Sequence, residues 1–363
     1  MQQHSGQLIR KRMDNFRYRL RQTGCDAALV LQKENYTYLS GFTGTSANLL
    51  ITHNEAFLLT DFRYVQQASL QAPLYNIVQY KGDIMPVIND IINESGVRNL
   101  GFEDNHMTFD TYLRFVEKLE TVELVPLKGI IEELRMIKDE DEIDTIRRAA
   151  RIADKAFSYI LPFLKPDVSE IEIAAELEYF MKKKGAEGAS FQTIVASGER
   201  SALPHGVASE KKLEKGDAIT LDYGAIYKGY CSDMTRTVFL GKPHEELEKI
   251  YNIVLEAQLI GLEKACAGRT GKDIDNESRD VIKFAGYGDF FGHGLGHGVG
   301  LNIHERPKLS PNSTEVVNNG MVTTIEPGIY LKGLGGIRIE DMIVINDDKP
   351  LVLTGSSKEL IIL

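Results

Sequence analysis

The chain has 363 residues, 43% hydrophobic and 26% charged, which fits a folded globular protein of about two domains and excludes collagen-like, disordered and disulfide-scaffold classes. Lys and Arg number 42 against 52 Asp and Glu, a net charge of −10 that argues against nucleic acid or an anionic membrane surface as partner. Cys25, Cys231 and Cys266 are odd in number without CxxC spacing, no apolar run reaches a membrane span, and no signal-peptide core follows the charged start, so a cytoplasmic location is expected.

Leu8, Met13, Phe16 and Leu20 recur at helical spacing and predict an amphipathic helix from Ser5 to about Thr23, stopped by Gly24. Short apolar runs follow at Ala27–Leu31, Leu49–Thr52, Ala56–Leu59, Ile77–Tyr80 and Leu100–Phe102. Helical stretches fall between them at Tyr64–Leu70, Met85–Ile92 and Phe109–Leu119. This alternation indicates a self-contained α/β domain. Composition shifts near Arg135, and the domain boundary is placed near residue 130, giving domains 1–130 and 131–363. The run Lys138–Glu142 opens a helix to about Leu161, with acids where the macrodipole favours them. Pro162 and Pro166 break the chain, and Ser169 with Glu172 forms a capping box for the next helix.

From Phe191 onward, glycines, histidines and carboxylates cluster. Ala218–Ala225 and Gly229–Leu240 read as a hairpin with Tyr227-Lys228 as its turn. An even loop puts Asp222 and Asp233 on one face, directly opposite in the tightest register. Facing carboxylates repel, and a cation between them removes that cost; two solvent-facing acids are the plainer alternative. The run Phe291–Gly300 has glycine at every second position, so His293, Leu295, His297 and Val299 would share a face if it is extended. The two histidines would then be roughly 13 Å apart at ~3.3 Å per residue, too far for one metal, so at most one of them is a ligand. His304 follows before Glu305. Pro327 forces Glu326 to be extended. In Gly336–Glu340, Arg338 and Glu340 point away from Ile337 and Ile339, and Asp341 falls on the apolar side. Four carboxylates and one histidine at strand positions form a hard, oxygen-rich set. It suits two divalent ions, Mn²⁺ before structural zinc.

These residues resemble the pita-bread metallopeptidases, in the aminopeptidase P and prolidase (Xaa-Pro peptidase) branch. The matching stretches are Leu221–Gly224, Ser232–Thr237, the Gly-His-Gly run to His304-Glu305, Thr324–Tyr330 and Gly336–Glu340. Asn35–Phe42 and Thr60–Tyr64 resemble the creatinase-like N-terminal domain of that branch. The resemblance implies an α/β, creatinase-like N-terminal domain followed by a pita-bread α+β catalytic domain. By position it gives Asp222 to one metal, Asp233 and Glu340 as bridges, and His297 and Glu326 to the other. The ions would be Mn²⁺, with Co²⁺ or Zn²⁺ as alternatives. His205, His304 and Glu326 become catalytic groups, while His293, His304, Arg338 and Tyr330 contact substrate, with Arg338 also orienting the bridging carboxylate. The implied reaction is hydrolysis of an Xaa-Pro bond at a peptide N-terminus. The Gly41–Gly44 form and short chain lean toward a bacterial-type aminopeptidase P, with a prolidase restricted to dipeptides or a non-catalytic binding protein as alternatives. A homodimer is implied as well.

Overall fold

The computed structural model describes the backbone of residues 2–363 and the side chains of residues 6–363. The chain divides into two compact units, Met1–Arg135 and Met136–Leu363.

The first unit is α/β. After the helix Gln2–Gln22, a six-stranded mixed sheet runs in the spatial order Asn76–Gln79, Ala56–Thr60, Asn48–Thr52, Ala27–Val30, Asn99–Phe102, Glu123–Pro126. Ala27–Val30 pairs antiparallel with Asn48–Thr52 and parallel with Asn99–Phe102. All four of its residues are buried, as expected of a central strand covered on both faces. Leu29, Leu50 and Leu100 pack with Ile88 and Ile92 of the helix Met85–Ser95 and Phe115 of Phe109–Lys118. The helix Lys33–Ser40 lacked a local signal because its N-cap, Gln32, makes no side-chain cap bond. Its entry is held instead by Glu103, which accepts from the Gln32 N–H at 2.8 Å and from Asn35 Nδ2 at 2.7 Å.

The second unit is α+β and holds two helix pairs, each on its own core. The helices Glu140–Ile160 and Glu170–Lys183 start at capping boxes on Asp139 and Ser169. Their residues Ile152, Phe157, Leu177 and Met181 pack against Val195, Ile219, Leu221, Tyr223, Met234 and Val238. Those residues belong to the antiparallel strands Ile194–Ser197, Ala218–Tyr223 and Met234–Phe239. The helices Glu245–Lys264 and Gly271–Phe284 bury Ile250, Val254, Ile274 and Ile282 against Leu295, Ile325, Ile337, Ile339 and Ile343. A five-stranded sheet supplies part of that second floor, through Gly296–Gly298, Val322–Ile325 and Asp341–Val344. The paired strands Gly328–Leu331 and Gly335–Arg338 supply the rest.

Because side chains alternate along a strand, each buried apolar row fixes what the other face carries. Ile219, Leu221 and Tyr223 face the helices, so Thr220 and Asp222 face away; Met234 and Val238 likewise put Asp233, Thr235 and Thr237 on that far face. Ile337 and Ile339 do the same for Arg338 and Glu340, and Ile325 for Thr324 and Glu326. The two floors thus turn their polar rows inward. Among the described residues, no helix is long and apolar enough to cross a membrane.

Candidate metal centre

The hairpin carrying Asp222 and Asp233 turns at Lys228-Gly229, not at Tyr227-Lys228. Lys228 has φ 49° and Gly229 φ 79°, the two positive angles of a type I′ turn, and Tyr227 pairs with Tyr230. Moving the turn by one residue shifts the register by two, so Asp222 pairs with Thr235 and Asp233 sits diagonally from it on the same face. The parity expectation holds, while the directly opposed arrangement is corrected. The diagonal separates two repelling charges without moving either off the face.

Glu340 lies in the gap between Gly335–Arg338 and Asp341–Val344, and its N–H donates to Thr235 O at 3.1 Å. Thr235 Oγ1 donates to Glu340 Oε2 at 2.6 Å. Asp233, Glu326 and Glu340 therefore sit at strand ends, and Asp222 alone lies within a strand. Strand ends free the carboxylates from ladder geometry and let four chain segments converge.

The glycine run is not one extended strand. Only Gly296–Gly298 is strand, and the register shifts between His297 and Gly298. Leu295 and Val299 enter separate cores while His297 turns to the acids, so the expected single shared face is absent. The glycines do let backbone approach closely: a Cβ on Gly296 would meet Thr324 O at 2.1 Å. His297 Nε2 lies 3.6 Å from Asp233 Oδ2 and 3.5 Å from Glu326 Oε1. Its Nδ1 faces Gly298 O at 3.1 Å, and a carbonyl accepts only from a protonated nitrogen, so Nε2 presents its lone pair to the acids. Donor atoms of Asp233, His297 and Glu340 lie within 4.8 Å of one another.

His293 points elsewhere. Its Nδ1 faces Gly294 O and its Nε2 lies 2.8 Å from Tyr330 Oη, which accepts from Arg338 Nη1 at 2.9 Å. A chain of hydrogen bonds thus runs from Arg338 through Tyr330 to a neutral His293, whose pKa burial lowers to about 4. Arg338 Nη2 donates to Asp222 Oδ2 at 2.7 Å, and its Nε donates to Thr235 Oγ1. Its direct carboxylate partner is therefore Asp222. It reaches Glu340, one of the two expected bridges, only through Thr235. Arg338 and Glu340 are both buried, so they are not a surface ion pair. His304 is exposed, with its ring 4.5 Å from that of His297, and exposed His205 acts electrostatically on His293, His304 and Glu326 alike. Sequence reasoning missed Thr235 and Thr324, which donate to Glu340 and Glu326. Each stands next to or near a noticed acid, but a threonine in a strand carries no distinguishing pattern of its own.

The electrostatics of this cluster are those of carboxylates in need of a cation. Burial first, then the charges of Glu340, Asp222 and Glu326, push the Asp233 carboxyl well above the ordinary carboxylate range. Glu340 is raised for the same reasons, and burial pushes Glu326 up to about 7. Asp222 Oδ1 and Asp233 Oδ1 are buried without a hydrogen-bond partner among the described residues. An unpaired buried oxygen costs roughly 1–3 kcal/mol or more when charged. Orphaned oxygens beside an imidazole lone pair fit divalent cations of the Mn²⁺, Co²⁺ or catalytic Zn²⁺ type.

Similarity to known proteins places both units in one family. Residues 144–347 match the metallopeptidase family M24, and residues 12–137 match the creatinase/prolidase N-terminal domain. The chain belongs to the metallopeptidase family M24, and it is a metallopeptidase of the two-domain, pita-bread kind. It is similar to an Xaa-Pro dipeptidase of Pyrococcus furiosus, 39% identical over 97% of this chain and 100% of that protein. Among solved structures, an Xaa-Pro dipeptidase from Bacillus anthracis superposes with TM-score 0.96 at 49% identity, covering 98% of this chain and 100% of that one. An X-Pro aminopeptidase from Thermotoga maritima gives TM-score 0.90 at 39% identity, covering 95% and 100%.

Proposed function

We propose that this metallopeptidase hydrolyses the bond between a residue and a following proline, using two divalent ions. Asp222, Asp233, His297, Glu326 and Glu340 would hold them. The observation that carries the reading is the convergence of Asp233, Glu326 and Glu340 on His297, with one oxygen each of Asp222 and Asp233 buried and unpaired among the described residues. Bound divalent ions supply a nucleophilic water at neutral pH and polarise the scissile carbonyl.

The chain's own residues do the rest. Glu326 is held at Oε1 by Thr324 Oγ1 at 3.0 Å, which leaves Oε2 to take a proton and pass it to the leaving proline nitrogen. His304 and His205, both exposed beside the acids, donate N–H groups to the developing oxyanion. His293 and Tyr330, tied to Arg338, form a wall with one polar edge against which substrate is oriented. A bond to proline lacks an N–H, so recognition must come from ring shape and the chain terminus.

The names of the relatives at 49% and 39% identity favour the Xaa-Pro dipeptide as substrate over the longer peptides expected from the sequence. The aminopeptidase reading is supported by the Thermotoga neighbour. Mn²⁺-loaded protein given an Xaa-Pro dipeptide and an Xaa-Pro-Yaa tripeptide separates them: faster release from the dipeptide is expected, and release from the tripeptide alone would reverse the assignment. The same proposal includes a homodimer in the cytoplasm, and light scattering at twice the chain's mass checks the first part.

A further inference from the structure

The loop that carries His205 leaves the strand Ile194–Ser197 and passes through the short 3₁₀ turn Gly198–Ala202. Its two stems are joined by one side chain from outside it. Glu170, the first residue of the helix Glu170–Lys183, is fully buried, and both its oxygens are occupied. Oε1 accepts from Ser197 N at 2.8 Å and Ser197 Oγ at 2.9 Å, on the outgoing stem. Oε2 accepts from Ser209 N at 3.0 Å and Ser209 Oγ at 2.7 Å, on the returning stem. Oε2 also accepts from Arg200 Nε at 3.0 Å, and Arg200 Nη2 reaches across the loop to Val207 O at 2.6 Å. The inner side of the loop is fixed separately, where Ser201 Oγ accepts from Gly336 N at 2.8 Å, two residues from Arg338.

A buried carboxylate is costly unless its lone pairs are filled, and five donors fill these. The helix start does not require this group: Ser169 already caps it, and the Glu170 N–H bonds to Lys211 O. The backbone of His205 is tied within the loop, where Val207 N donates to His205 O at 2.9 Å, and Val207 bridges back to Ile194. Its imidazole makes no side-chain hydrogen bond among those described, so its position follows the path of the loop. The five bonds from one carboxylate to both stems and to Arg200 hold that path, together with Lys211 Nζ on Ser197 Oγ. We propose that Glu170 is a positioning residue for His205, acting through Ser197, Arg200 and Ser209 to set the imidazole beside the scissile bond.

This inference rests on the proposed role of His205 in Xaa-Pro hydrolysis, and its test separates the two. Glu170→Gln keeps the volume but puts an amide nitrogen where a donor now points, so one stem is released. In Mn²⁺-loaded protein it is expected to lower kcat on an Xaa-Pro dipeptide by about 10–100-fold, the scale of a catalytic group moved by an ångström, with KM changed less than about twofold. In a His205→Ala background the same substitution is expected to change kcat by less than about twofold, because there is no imidazole left to misplace. Equal losses in both backgrounds would overturn the proposal. Independently of activity, hydrogen exchange at residues 198–209 is expected to quicken in Glu170→Gln while Mn²⁺ affinity measured by calorimetry stays unchanged. Unchanged exchange, or lost Mn²⁺ affinity, would overturn it too. Ser209→Ala removes one of the five bonds and repeats the comparison if Glu170→Gln does not fold. Wild-type protein that leaves Xaa-Pro peptides intact would refute the functional reading instead, and the exchange result would still decide whether Glu170 orders the loop.

Discussion

Asp233 sits where burial and three neighbouring carboxylates all oppose its charge, yet its Oδ1 has no donor among the described residues. Such a residue lowers stability for the sake of binding a cation. Asp233→Asn is therefore expected to raise the melting temperature of chelator-treated protein while reducing Mn²⁺ affinity and peptidase activity by more than 100-fold; a lower melting point, or retained activity, would refute the assignment. Arg338 differs, since it neutralises Asp222 directly and reaches Glu340 through Thr235. Arg338→Gln is expected to weaken Mn²⁺ binding about 10–100-fold, the usual effect of losing a ligand's outer partner, as read by calorimetry. The acids and His297 were legible in the sequence because each stands in a strand pattern or a glycine run. The partner of Arg338 was not, because Asp222 is 116 residues away and only the folded register brings the two together.

The hairpin shows what pattern can and cannot fix at the level of elements. Alternation placed Asp222 and Asp233 on one face whatever the turn, because register slips by two preserve the face. The turn itself was misplaced by one residue: Gly229, which supplies the second positive φ, was assigned to the strand. Gly224, in the same hairpin, is set by close approach, since a Cβ there would lie 1.7 Å from Ser232 O. Gly224→Ala is expected to destabilise the second unit by about 1–3 kcal/mol, measured by urea unfolding, and an unchanged midpoint would show that the backbone relaxes freely. The capping boxes at Asp139 and Ser169 were readable because they are local. The helix Lys33–Ser40 was not, because Glu103, some seventy residues on, anchors its start.

Over the whole chain, the acidic balance read at the outset is partly concentrated in one cluster, and this sets how stability responds to pH and metal. In the folded, metal-free protein Asp233, Glu340 and Glu326 keep their protons to higher pH than in the unfolded chain, where such carboxyls titrate at about pH 4. Where the folded state binds more protons, stability falls as pH rises. Chelator-treated protein is thus expected to unfold at lower temperature at pH 8 than at pH 6, and Mn²⁺ at 100 times its Kd should add about 2.7 kcal/mol per bound ion at pH 8. A melting point that rises with pH without metal would contradict the electrostatic account. Fold class and chemistry were legible at this scale because a two-floor α+β unit leaves alternating strands and punctuating glycines. The clustering of exposed His205 and His304 beside the acids had to come from the folded chain. The most direct test of the central claim is an activity titration, in which metal-stripped protein receives increasing Mn²⁺ against a fixed Xaa-Pro dipeptide. Proline release absent without metal and rising until two ions are bound per chain is the predicted result. Release that persists without metal, or fails at every Mn²⁺ concentration, would contradict it.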